Sequence, residues 1–556
     1  MEKFDYIIIG SGAAGAILAN RLSEALSDSS ICVLEAGPAL SNLYSRIPAA
    51  FSKNLQNKNL MWQFKSAPTE QLAGRSVYLP QGKSLGGSTT INGLVYNRGL
   101  ASDYDHWESL GNEGWGYQDV LPYFRRSENR VSRLSRPDFD SNQQGDNSET
   151  AGASANSQYR GNLGPLNVSD PDVLHPVCDA FIDTLSGHGL PTHNDYNGAS
   201  QRGAGYFQRT VFKGKRVTTA TAFLNPVKDN SNLTIQSGVQ VSRIVFENKR
   251  ATGVETVDGR VLHANREVIC SAGTVNTTRI LQLSGVGPGA LLQKYGIPIV
   301  QELPGVGENF QDHYFVRVAA RLKGGTPSLN LQSRGLGLIN QVVRWQLGKP
   351  SILSYSPSIA YAFLNSADLS DVHPDLQFVF TPGSYKPGEV YVLDNFAAAT
   401  CGFTQQRPES RGYVRIGGNN PNDAPEVQPN YLEHELDREV VVRGLKLCRQ
   451  FLQSGPLGEL FEAEEVPGSE VNSDDALLDF ARQTGNTGYH LCGTCTMGPQ
   501  SNPMSVVGAD LKVHGVEDLR VIDASVMPRV TSSNTCAASM MIGEKGADMI
   551  ITAANA

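Results

Sequence analysis

The first pattern along the chain is an unbroken apolar run, Tyr6 to Ile9, of the kind a strand buried on both faces requires. A glycine turn, Gly10-Ser11-Gly12-Ala13-Ala14-Gly15, follows at once, and Ala16 to Leu22 then carries helical spacing. A second apolar run, Ile31 to Leu34, closes on Glu35. Asn232 to Glu255 alternates in the manner of strands, as do Leu376 to Phe380 and Gly412 to Ile416, whereas Asp437 to Leu452 reads as helix. The apolar stretch Ile352 to Phe363 fits either core or the wall of a pocket for an uncharged molecule. Arg133 to Gly161 has almost no large apolar residue and cannot bury a core, so it is expected to be a mobile surface insertion, with a lid role as the functional alternative.

Strand, glycine turn, helix, strand and acid in that order define a dinucleotide cradle. Gly10 permits the tight turn, Gly12 lets backbone approach a pyrophosphate, and Gly15 lets helix pack close to strand. Ser11, Ala13 and Ala14 complete the turn, and free N–H groups at the helix start favour an anion. Glu35, followed by Ala36, is spaced to accept hydrogen bonds from ribose hydroxyls and disfavours a 2′-phosphate. The plain alternative is a generic βαβ turn.

Composition narrows the class. With 556 residues, 40% hydrophobic and 18% charged, the chain has ample core and a length that suggests two domains. Its net charge of −8, with no conspicuous basic run, argues against nucleic acid and offers no obvious surface for an anionic membrane. Ile7 to Ala19 is apolar enough to imitate a signal peptide, but Glu2 and Asp5 stand where a basic leader belongs. No run approaches the ~20 apolar residues of a membrane span, so a cytoplasmic location is expected. Eight scattered cysteines fit a reducing compartment, and the Cys492/Cys495 pair has no second pair beside it for zinc, so no metal is expected.

The segment Leu79 to Trp107 is dense in glycine and small hydroxyl residues, which lets backbone lie flush against a flat ligand. From Gly82-Lys83 through Gly86-Gly87, Asn92, Gly99 and Asp105 it resembles the first signature of the glucose–methanol–choline (GMC) oxidoreductases. The resemblance implies FAD, wrapped by Gly82, Gly86, Gly87 and the backbone of Asn92, Gly93, Leu94 and Val95. Some members tether the flavin through a histidine where Ile91 stands, so FAD is expected to be non-covalent here. Ser271 to Pro288, including Gly273, resembles the second signature, and Pro304 to Asn309 with Asp312-His313 continues it. His313 reads as a hydrogen-bonding group rather than a base. By the same resemblance Val241 lies near the adenine, and Asp523, Ala524, Asn534 and Thr535 contact the flavin. Tyr489-His490 with Gly493-Thr494 reproduces the motif of the family's catalytic histidine, and Asn534 stands at its partner's position, although Leu491-Cys492 replaces the usual Pro-Val.

The implied fold is α/β: a Rossmann-like FAD-binding domain from 1–163, 216–315 and 482–556, and a discontinuous α+β substrate domain on a mainly antiparallel sheet from 164–215 and 316–481. The implied chemistry, nearest to the choline-dehydrogenase-like branch, is oxidation of a primary alcohol, with His490 taking the proton, flavin N5 the hydride, and a quinone or another acceptor the electrons. An oxidase using O2, a light-driven fatty-acid decarboxylase on the same fold and a non-catalytic flavin-binding protein are the rival readings.

Overall fold

In a computed structural model the described residues are 2–39, 43–131, 158–193, 195–386 and 392–556. Two seven-stranded sheets organise them. In the first, the strand Glu2–Ile9 lies between Ile31–Glu35 and Val261–Cys270, parallel to both, and Leu233–Ser237 extends it beyond Ile31–Glu35. Arg250–Thr256 and Val241–Glu247 continue the other side antiparallel, and Leu519–Val521 also pairs with Val261–Cys270. Tyr6, Ile7, Ile8 and Ile9 are all buried because a neighbouring strand flanks each side and helices cover the faces.

The helix Gly15–Ala25 returns over this sheet, and no residue with a Cβ fits where it starts. A Cβ on Gly15 would lie 2.0 Å from the Gly10 carbonyl oxygen, and Gly10 itself has φ +94°. The C-terminal helix Cys536–Asn555 packs alongside, its Gly543 pressed against Ala14.

The second sheet is antiparallel throughout, in the order Phe461–Val466, Tyr314–Leu322, Ala398–Gln405, Leu376–Thr381, Ala360–Leu364, Gly203–Tyr206. Asn486–Thr487 pairs with its Tyr314 end, so segments on both sides of the expected boundaries near 315 and 482 contribute to this sheet. Leu376, Phe378 and Phe380 point into a core with Phe181, Phe403 and Phe451, where Phe181 and Phe380 stack at 4.3 Å. Gln377, Val379 and Thr381, the alternate positions, face a cavity. Most of the apolar stretch 352–363 is core: Ile359 to Phe363 are fully buried and only Pro357 and Ser358 reach the cavity.

Most of the expected insertion 133–161 lies outside the described residues. Its last residues are turn and irregular backbone, but they are not all surface. Arg160 is buried and, with Arg98, grips the fully buried Glu128 carboxylate, while Arg160 also meets Asp195 at 2.5 Å. Glu128 opens the strand Glu128–Val131, which pairs in parallel with Leu166–Ser169, so the ion cluster closes the chain on either side of residues 132–157. The two guanidiniums hold Glu128 below the usual carboxylate range despite its burial. Glu128→Gln leaves two buried cations short of a counter-charge and should cost about 3–5 kcal/mol in denaturant unfolding; a change within about 0.5 kcal/mol, typical of surface sites, would mark the cluster as dispensable.

Candidate active site

A cavity of about 840 Å³ runs between the two sheets. One end is made by the glycine turn. Gly10, Ser11, Gly12, Ala13 and Ala14 line it, with Glu35 and Ala36 from the end of the second strand. Gly15 is absent from the wall; it is used in packing, as its contact with Gly10 requires. Glu35 is buried, and its carboxylate accepts from Ser11 N (3.1 Å), Ser11 Oγ (2.7 Å) and Gly37 N (2.9 Å). It therefore ties the glycine turn to the neighbouring loop. Burial pushes its pKa up and these three donors oppose the shift.

The second glycine segment crosses directly above the first. Gly87, at φ +53°, would place a Cβ 2.7 Å from Gly12 Cα, and a Cβ on Gly82 would lie 2.3 Å from Gly87 backbone. Gly82, Gly87, Asn92, Gly93, Leu94 and Val95 line the cavity; Gly86, the αL residue that starts this turn, does not. Behind the wall, the Arg216 guanidinium donates to Asn92 O and Asn92 Oδ1, both at 2.8 Å, and to Thr89 O at 3.3 Å. Arg216 was not singled out in the sequence. Burial without a carboxylate pushes it down to about 9. Val241, Gly273, Asp523, Ala524 and Thr535 complete this part of the wall. Asp523 accepts from Gly273 N, Thr277 Oγ1, Ser525 N and Ser525 Oγ, which joins the start of the helix Thr274–Leu283 to the loop before the C-terminal helix.

His490 and Asn534, 44 residues apart, meet at the other end, with His490 Nε2 2.9 Å from Asn534 Nδ2. A chain of partners fixes the proton positions. His313 Nε2 lies 2.9 Å from the Gln406 carbonyl oxygen, which only accepts, so His313 carries its proton there. His313 Nδ1 then accepts, and His490 Nδ1, at 2.8 Å, donates to it. His490 Nε2 is left with its lone pair facing the Asn534 amide, whose Oδ1 is taken by Gln377 Nε2 at 3.3 Å. Asp312 holds the backbone, accepting from His490 N (2.7 Å), Thr487 Oγ1 (2.5 Å) and the Tyr431 hydroxyl. Burial pushes Asp312 up to about 6 against those donors. It also pushes His313 down to about 4 and His490 well below its ordinary value, with His313 adding to the shift on His490.

The sheet supplies the remaining wall of this end: Phe315, Arg317, Gln377, Val379, Thr381, Thr400 and Thr404, alternate positions on three adjacent strands. Gly402, between the two threonines, makes room for the Phe315 ring, since a Cβ there would lie 2.3 Å from Cζ. Cys492 and Cys495 are fully buried with their thiols pushed up by burial, and the described residues contain no cluster of metal-ligating side chains. No described helix is long and apolar enough to cross a membrane.

With this geometry in place, comparison with known proteins assigns the family. The chain belongs to the GMC oxidoreductases: that family's N-terminal model matches residues 4–315 and its C-terminal model residues 408–543. It is 37% identical to an oxygen-dependent choline dehydrogenase of Photobacterium profundum over 559 aligned positions, covering 99% of this chain and 93% of that one. A Vibrio vulnificus protein of the same name is also 37% identical, with 99% and 94% covered. Among solved structures, pyridoxine 4-oxidase from Mesorbium loti superposes with TM-score 0.85 at 28% identity, covering 98% of both chains. An FAD-dependent oxidoreductase from Chaetomium thermophilum does so with TM-score 0.86 at 25% identity, covering 99% and 100%. The protein is thus an FAD-dependent oxidoreductase acting on CH–OH donors. The glycine segments, in which a Cβ on Gly87 would strike Gly12 and one on Gly15 would strike Gly10, leave a backbone-lined cradle that fits that cofactor.

Two measurements test this geometry. Ile91 is buried at the cavity wall with no group that bonds carbon, so acid precipitation should release all FAD into the supernatant; yellow colour retained in the pellet would contradict it. The second is pH-dependent stability. An unfolded histidine protonates near 6.5 whereas folded His313 resists to about 4, so acidification favours the unfolded state across that window. Stability is full above 6.5 and falls toward pH 4, by on the order of 3 kcal/mol from this one ring. Thermal melts of the holoprotein should show a shallower acid loss in His313→Gln than in the parent; equal slopes would mean that His313 titrates normally.

Proposed function

We propose that this chain oxidises an uncharged primary alcohol to the aldehyde, with His490 as the base and Asn534 as its orienting partner. The observation that carries the reading is the neutral His490 with its Nε2 lone pair at the cavity end, held by His313 and paired to Asn534. Oxidising an alcohol removes a proton from oxygen and a hydride from carbon. FAD, when bound, accepts the hydride. His490 Nε2 takes the hydroxyl proton, and the Asn534 amide donates to the same oxygen and orients it. Asp312 and His313 keep the imidazole in place while its charge changes. The glycine-rich end, from Gly10 to Ala14, Glu35, Ala36, Gly82, Gly87, Asn92 to Val95, Val241, Gly273, Asp523, Ala524 and Thr535, holds the cofactor in this reading. On this reading the chain divides into a cofactor part, 1–163, 216–315 and 482–556, and a substrate part, 164–215 and 316–481, with Tyr314, Phe315 and Asn486–Thr487 joining the second sheet across those bounds.

The charge of the wall supports a neutral substrate. Among the described residues, the carboxylates lining the cavity are Glu35 and Asp523, both occupied by donors within the chain. The strands and loops near His490 contribute Arg75 and Arg317 along with Tyr78, Phe315, Phe480 and Tyr489. Among the described residues, no further carboxylate lines the cavity near His490 to face a quaternary ammonium such as choline, named for the two relatives. The electrons pass to a quinone or another carrier, with O2 as the alternative acceptor.

Anaerobic rapid mixing with a panel of alcohols tests the reading. Neutral aliphatic or aromatic primary alcohols should bleach the flavin and choline should not. His490→Ala should slow bleaching by about 10²–10⁴ with FAD retained, and Asn534→Ala by less. Wild-type rates in His490→Ala would place the base elsewhere, and bleaching by choline alone would overturn the neutral-substrate assignment. Re-oxidation of the bleached enzyme by air or by a quinone separates the acceptors.

A further inference from the structure

The helix Gly335–Gln346 is mounted with its apolar side outward. Leu336, Ile339, Val343 and Leu347 recur at helical spacing, and they are 84%, 59%, 46% and 65% exposed. The opposite side is fastened to the body by polar contacts: Trp345 Nε1 donates to Gly214 O (2.7 Å), and Gln341 accepts from Ser351 Oγ through both its carbonyl oxygen (2.8 Å) and its Oε1 (3.1 Å). None of the helix's residues is fully buried. A globular helix normally does the reverse, hiding its apolar stripe and wetting its polar one. Leu331, in the turn before it, is also exposed.

The charges along this stretch of sequence are of one sign. From Lys323 to Ala367 the sequence contains Lys323, Arg334, Arg344 and Lys349 and no carboxylate, in a chain where acids outnumber bases 55 to 47. The basic turn Lys213-Gly214-Lys215, on which Trp345 rests, adds two exposed lysines. Arg334 and Arg344 donate to backbone carbonyls, of Leu393 and Asp394 and of Pro350 respectively, so these contacts leave their charge uncompensated. The Asp394 carboxylate is turned to the Ser384 hydroxyl. An outward apolar row edged by lysine and arginine is what a helix lying in the plane of an anionic bilayer presents.

We propose that this face docks the protein on an anionic membrane surface, with Leu336, Ile339, Val343 and Leu347 entering the headgroup boundary and Arg334, Arg344, Lys349, Lys213 and Lys215 meeting lipid phosphates. The inference is independent of the alcohol reading, because it uses no residue of the cavity. The cationic residues are dispersed along the chain and come together only in the fold.

Co-sedimentation of the FAD-loaded full chain tests it, with vesicles of phosphatidylcholine mixed with phosphatidylglycerol and with vesicles of phosphatidylcholine alone. Binding is expected to the anionic vesicles, to weaken with added salt, and to be at least about tenfold poorer on the neutral ones. Ile339→Glu should abolish it, and Lys349→Ala or Lys213→Ala should each weaken it by about fivefold. All three sites are exposed, so FAD content and melting temperature should match the parent and exclude misfolding. Absence of binding to either vesicle, or binding that Ile339→Glu leaves intact, overturns the proposal. So does a parent dimer that Ile339→Glu converts to monomer in sedimentation velocity, which would assign the face to a second copy of the chain.

Discussion

One backbone carbonyl sets the state of the candidate base. Gln406 O can only accept, so His313 must donate to it, His490 must donate to His313, and the last nitrogen in the series keeps its lone pair. The carbonyl is itself fixed: Gln406 N donates to Asp375 O at 2.7 Å and its side-chain amide to Gln201 Oε1 at 2.8 Å. Orientation by a neutral ring differs from orientation by a carboxylate. A carboxylate behind His490 would stabilise imidazolium and raise its pKa, whereas a neutral His313 leaves burial dominant and keeps the base free of protons. The nearby acid, Asp312, is directed at the His490 backbone N–H rather than its ring.

The cofactor end depends on a different constraint, the distance of backbone from backbone. Gly87 approaches Gly12 so closely that it could not carry a side chain at that point, and the strand-to-helix turn is closed by Gly15 against Gly10. Polar ties then lock what the glycines permit. Glu35 joins the first turn to the loop after the second strand, Arg216 pins the segment around Asn92, and Asp523 joins two loops across 250 residues. All three groups are buried, and the Glu35 and Asp523 carboxylates accept several short contacts each, so these ties hold the walls together within the chain itself.

Much of this was legible in the sequence because periodicity and glycine spacing report local geometry. The run Tyr6–Ile9 is the buried end of a longer strand, Glu2–Ile9, and the helix after the turn extends to Ala25. Strands expected around Asn232–Glu255 divide into three because Gly238 and the Asn248–Lys249 turn adopt positive φ. What the pattern could not give was long-range partnership. Arg216 is one arginine in a basic turn until the fold sets it behind Asn92, and Gln406 acts through its carbonyl, which no side-chain motif records. A signal did exist for the sheet wall: Gln377, Thr381, Thr400 and Thr404 are polar positions at even spacing in otherwise apolar strands, the mark of one face turned to a cavity. The stretch 352–363 left core and pocket wall undecided because a central strand buried on both faces has no alternation to distinguish core from lining.

The same limit explains the outward apolar helix. Spacing identifies which residues of Gly335–Gln346 share a face, but a stripe of Leu336, Ile339, Val343 and Leu347 is the ordinary signature of a helix packed on a core, and its direction is set by contacts elsewhere in the chain. Those contacts are polar and specific, the Trp345 indole on Gly214 and the Gln341 amide on Ser351, so the orientation is held by geometry rather than left to hydrophobic burial. The segment beneath the helix, Ile352–Ser354, packs in turn on Pro48–Ala50, and Phe51, the next residue, lines the cavity. The exposed face and the cavity are therefore separated by two short elements, and a bilayer on that face would lie close to the cavity wall.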